Sequence, residues 1–196
     1  MKALVGFAIA LTAAISAHAA PVVYTTTLTG PAENPANASP GTGQATVIFD
    51  AVAHTLEVNE TFSGLLGTTT ASHIHCCIAP PGATGVATML PTFSLLPLGV
   101  GSGTFDQTSD TLASATYNPA FVTAHGGTAD GAEIALAAGL DAGQSYLNIH
   151  TNLFPAGEIR GFLTLAPVPE PESYALMLTG FALLRVATRR GKRSTR

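Results

Sequence analysis

Three short segments carry the side chains that could do chemistry: Ser72-His73-Ile74-His75-Cys76-Cys77-Ile78, Tyr146-Leu147-Asn148-Ile149-His150-Thr151 and Glu158-Ile159-Arg160-Gly161-Phe162-Leu163. Each alternates aliphatic and polar residues, the two-residue period of a β-strand. The period sets Ile74, Cys76 and Ile78 on one face of the first segment and His73, His75 and Cys77 on the other. Likewise Leu147, Ile149, Ile159 and Leu163 turn inward, while Tyr146, Asn148, His150, Glu158 and Arg160 are expected outside or in a barrel mouth. Two imidazoles at i and i+2 of a strand can hold one ion, and His150 or His125 could complete a site for zinc or copper. The competing reading is structural: the same rings hydrogen-bond to loop carbonyls, Asn148 or Glu158 and fix strand pairing. A pH-dependent or ligand-contact role is the third. His54, ahead of an alternating stretch, reads as a solvated turn residue.

Cys76 and Cys77 are the only cysteines, and they are adjacent. Alternation points them to opposite faces, which favours a buried Cys76 and a partly exposed Cys77; a vicinal disulfide or an intermolecular bridge are the alternatives. Of the eight Lys and Arg, seven lie near the chain ends, so Arg160 is the lone cation between Pro21 and Val168, against ten carboxylates. A surface of that sign is a poor partner for nucleic acid or anionic lipid. Glu158, on the same strand face, is the expected partner of Arg160 in a structural clamp; recognition of an anionic or sugar ligand is the alternative. No nucleophile elbow, phosphate-binding loop or His-Glu-x-x-His pattern is present.

These residues need a scaffold of short strands. Candidates are Val22-Thr29, Gln44-Asp50, Thr55-Phe62, Ser72-Ile78, Gly85-Leu90, Gly101-Asp106, Thr111-Tyr117, Gln144-Thr151 and Glu158-Leu165. Their spacing implies an all-β, antiparallel sandwich or barrel. One or two short helices are expected late in the chain, where Asn118-Pro119 offers an N-cap and first-turn pair and Ala132 to Leu140 is rich in helix formers.

Both ends carry targeting signals. Residues 1–20 have Lys2, an apolar run from Ala3 to Ile15 and Ala17-His18-Ala19, the parts of a cleavable export signal. At the other end Pro169-Glu170-Pro171 precedes an apolar segment, 174–187, and a basic tail, 188–196. In that order the parts of residues 167–196 resemble the PEP-CTERM sorting signal of Gram-negative bacteria. The resemblance implies recognition by an exosortase-type membrane protease and a transient inner-membrane anchor, before release to the periplasm, the cell surface or the exterior. An ordinary tail anchor has the same physics.

Between the signals, in residues 21–166, the chain resembles the CHRD domain. The resemblance rests on Leu28-Thr29-Gly30-Pro31-Ala32-Glu33-Asn34-Pro35, His73-Ile74-His75, Tyr146-Leu147-Asn148-Ile149-His150-Thr151 and Gly157-Glu158-Ile159-Arg160-Gly161-Phe162-Leu163. It implies an extracellular all-β module without established chemistry. The leading expectation for function is a surface or matrix interaction module that binds a partner protein or exopolysaccharide, without catalysis. His-x-His on such a sheet is also similar to the copper ligands of copper-zinc superoxide dismutase, an analogy of arrangement only. The different-class alternative is a zinc- or copper-binding redox or storage protein.

Overall fold

A computed structural model describes residues 20–167, 177–179 and 181 of the chain. The expected export signal, apart from residue 20, and most of the expected sorting signal, including Pro169, Glu170 and Pro171, lie outside these residues. The chain divides into two compact units, Met1–Leu165 and Ala166–Arg196. In the second, residues 177–179 and 181 are helical. Among the described residues no helix is long and apolar enough to cross a membrane.

The first unit is built on one eight-stranded antiparallel sheet curled as a half-barrel. Its strands are β1 (Val22–Thr29), β2 (Thr42–Asp50), β3 (Thr55–Ser63), β4 (Thr69–Cys76), β5 (Gly103–Asp110), β6 (Ser145–Thr151), β7 (Ile159–Phe162) and β8 (Thr164–Leu165). Their order is β4-β6-β7-β1-β2-β3-β5, with β8 also pairing β1. The segment expected as one strand over residues 158–165 breaks at Leu163, whose N–H turns to Ser145 O. Two helices follow β5: α1 (Pro119–Ala124) and α2 (Ala129–Asp141). Asn118 caps α1 by accepting from Ala120 N, and Thr128 caps α2 by accepting from Gly131 N.

Alternation in β1, β2 and β3 sends Tyr24, Leu28, Val47, Phe49, Leu56 and Val58 into the core. That core is closed by Leu136 and Leu140 of α2, Phe121 of α1 and Phe93 and Leu96 of the connection between β4 and β5. Residues 85–90 and 111–117, expected as strands, contribute only isolated bridges, His75 to Val86 and Thr88 to Tyr117, and Ser114–Thr116 turns as a short 3-10 helix. Side chains explain the first of these. Thr88 Oγ1 accepts from Ile74 N at 2.9 Å and Thr92 Oγ1 from Ser72 N at 2.9 Å, so hydroxyls occupy the edge of β4 where another strand's carbonyls would bind.

The second correction concerns the polar face. In β4, β6 and β7 it is not solvated: His73, His75, Tyr146, Asn148 and Arg160 are all buried, as is Glu158 just ahead of β7. The connection after β4 and the turns after β1 and β6 fold over it, as their contacts with these side chains show.

Candidate metal centre

In register, His73 stands opposite Asn148 and His75 opposite Tyr146, while His150 lies one step along β6. The β-sheet period therefore brings His73, His75 and His150 to one face. Ring centroids are 5.2 Å apart for His73 and His150 and 6.0 Å for the other two pairs. His75 also stacks on Tyr146 at 4.6 Å, which limits its rotation.

Each ring is tethered by one nitrogen to a backbone carbonyl. His73 Nε2 donates to Pro91 O at 2.7 Å, His75 Nδ1 to Thr84 O at 2.8 Å and His150 Nδ1 to Pro155 O at 2.9 Å. A carbonyl can only accept, so these nitrogens carry the protons and the tautomers are fixed. The opposite atoms, His73 Nδ1, His75 Nε2 and His150 Nε2, are left as buried lone pairs without a hydrogen-bond partner. One ligand nitrogen from each ring lies within 4.8 Å of the others. Tetrahedral metal–nitrogen bonds of about 2.1 Å place ligand nitrogens roughly 3.4 Å apart, so closure asks for ring movements of about 1 Å.

Burial holds the rings neutral, the state a ligand needs. It pulls His73 and His75 down to about 4, partly offset by the bonds to Pro91 O and Thr84 O, and it lowers His150 as well. His125, the other candidate ligand, is not in this group: its Nδ1 bonds Phe121 O and its ring packs on Phe121 at the end of α1. His54 is not free in a turn but pairs with Glu133 at 3.0 Å.

Arg160, expected to pair with Glu158, is held by other groups. Its guanidinium donates to Ala32 O, Gly82 O and Pro81 O, stacks on Tyr146 at 4.7 Å and has Glu33 Oε2 at 3.9 Å. Glu158 is consumed elsewhere, accepting from Ser39 Oγ, Leu66 N, Gly67 N and Thr151 Oγ1. These four bonds outweigh its burial and lower its pKa. Glu33 itself is raised to about 7 by burial, against the pull of Arg160.

Cys76 and Cys77 form a vicinal disulfide rather than two thiols. β4 ends at Cys76, so Cys77 leaves the strand alternation and both sulfurs pack on α2 near Ala135 O. Gly139 belongs to the same contact, since a Cβ there would collide with both sulfurs.

Asn148 and Glu33 complete the surroundings: Asn148, expected as a hydrogen-bond partner of the histidines, is bonded instead to Glu33, to which the sequence reading gave no role. Asn148 Nδ2 donates to Glu33 Oε1 at 2.8 Å, whereas Asn148 Oδ1 is buried without a partner. Gly157, with φ of 133°, lies so close to both that a Cβ would overlap them.

Comparison with family models matches the CHRD domain over residues 24–163. No match is found among curated proteins, and none among solved structures. The matched span runs from within β1 through the end of β7, with both helices and the histidine face, and the chain belongs to the CHRD domain family.

Proposed function

We propose that this CHRD domain binds one transition-metal ion, zinc or copper, through His73, His75 and His150. One observation carries the reading: three buried imidazole lone pairs share a face with no donor to satisfy them. Buried polar atoms are normally paired, and leaving three acceptors bare costs on the order of 1 kcal/mol or more each. The backbone carbonyls behind the rings are the outer-shell partners that metal-ligating histidines use. Imidazole suits both zinc and copper. Binding rather than turnover is the proposed activity, in an exported module that the N-terminal signal delivers and an exosortase-type protease processes. Contact with surface polysaccharide or a partner protein belongs to the same proposal.

The test is elemental analysis of the untagged protein recovered from the periplasm under metal-replete conditions, beside a His73→Ala, His75→Ala double variant. Near-stoichiometric zinc or copper, lost in the variant, is expected. Metal-free wild-type protein would refute the site and leave the histidines as packing groups.

A further inference from the structure

Asn148 is 2 % exposed, and its amide can face only one way. Asn148 Nδ2 donates to Glu33 Oε1 at 2.8 Å, and the ionised carboxylate, with Arg160 at 3.9 Å, is acceptor-only and fixes this orientation, so Oδ1 faces the opposite side. On its strand Asn148 lies between Tyr146 and His150; across the ladders it faces His73 on one side and Arg160 on the other. Arg160 directs donors from all three of its nitrogens to the carbonyls of Ala32, Gly82 and Pro81. Asn148 Oδ1 thus stands on the histidine face as a fourth buried acceptor beside the three imidazole nitrogens.

A metal ion would satisfy the three nitrogens. Three protein ligands leave a tetrahedral ion one position for an exchangeable ligand. If that ligand carries a hydrogen, it can satisfy the amide oxygen too. An open cleft of about 270 Å3 has Glu33, Pro155 and Gly157 in its walls, so space for a small ligand adjoins the residues that hold Asn148 and His150.

We propose that Asn148 Oδ1 accepts a hydrogen bond from the exchangeable ligand on the metal, and so selects a protic oxygen ligand, water or hydroxide, over a bare anion. The inference rests on the metal reading above. An anion such as azide offers Oδ1 only a lone pair, whereas water or hydroxide offers a hydrogen. Asn148 is therefore a specificity-determining residue, and Glu33 is the positioning residue that keeps its amide from turning.

The experiment titrates azide into the copper(II)-loaded full-length protein and follows the azide-to-copper charge-transfer band in wild type, Asn148→Leu and Glu33→Gln. Leu keeps roughly the side-chain size and removes the acceptor, so azide should bind about tenfold more tightly than in wild type. Glu33→Gln, whose amide can accept as well as donate, frees Asn148 to turn and should shift azide affinity in the same direction by a smaller factor. Circular dichroism reports folding; if Asn148→Leu does not fold, Glu33→Gln supplies the readout. Equal azide affinity in wild type and the folded variants would overturn the role of Asn148 while leaving the metal site intact. Failure of wild type to take up copper(II) is a different result, which would overturn both.

Discussion

Replacing Glu60 by Gln should change how stability depends on pH more than it changes stability at pH 5. Glu60 lies on the core face of β3 between Val58 and Phe62 and is 1 % exposed. Its Oε2 accepts from Ser72 Oγ at 2.8 Å, and its Oε1 has no partner. Burial raises its pKa to about 8, with the Ser72 bond pulling the other way. Because the folded-state value lies above that of the unfolded chain, the native protein keeps a proton that the unfolded chain has released. The stabilising contribution is complete below about pH 4.5 and is lost as pH rises through about 8. A shift of that size corresponds to about 5 kcal/mol. Gln keeps the shape and cannot ionise. The variant should therefore match wild type within about 1 kcal/mol at pH 5 and exceed it by several kcal/mol at pH 9, equivalent to roughly 10 °C in Tm. Urea melts of the metal-free protein at pH 5, 7 and 9 measure this directly, with equal m values as the check on two-state behaviour. Glu33 and the histidines titrate in both proteins and cancel in the difference. A wild-type-minus-variant difference that stays constant from pH 5 to 9 would refute the argument.

Two other outcomes follow from the same physics. Arg160→Met should destabilise the domain by about 3 to 5 kcal/mol in urea melts, because it strips the buried Glu33 carboxylate of its cation and three carbonyls of their donor; an unchanged melting curve would show that the clamp holds nothing. Zinc titrations at pH 7, 6 and 5 should show far less proton competition than an exposed three-histidine peptide, because folded His73 and His75 stay neutral down to about pH 4. Metal-free stability moves the opposite way: these depressed values make folding less favourable as pH falls from 6.5 toward 4.

The half of the sheet with one clean apolar face was readable in advance. β1 runs over the expected residues, and β2 and β3 differ from expectation only at their ends, because Leu28, Val47, Phe49 and Leu56 mark a single core side. The helix over residues 129–141 was legible in its composition and α1 in its Asn118-Pro119 cap. Where both faces are buried, polarity stopped reporting exposure. His73, Asn148 and Arg160 look like surface residues in a strand pattern, yet they are covered by loops that hold His73 and Arg160 with backbone carbonyls and Asn148 with the Glu33 carboxylate. A carbonyl belongs to every residue, so no residue type announces it. Closeness in sequence misled for Arg160 as well: Glu158 is two residues away but faces the N–H groups of Leu66 and Gly67, while the carboxylate near Arg160 comes from the turn after β1.

That the rings are steered by main-chain oxygens has an evolutionary corollary. Thr84 O lies nine positions beyond His75, and Pro155 O five beyond His150, and any amino acid at those positions would present the same atom. Residue identity in these loops can therefore drift at little cost to ring orientation. Loop length cannot, since one inserted or deleted residue would carry the oxygen out of reach and free the ring to rotate. Among relatives, the spacing that follows each histidine should separate chains that keep a preset imidazole cage from chains that retain the histidines alone.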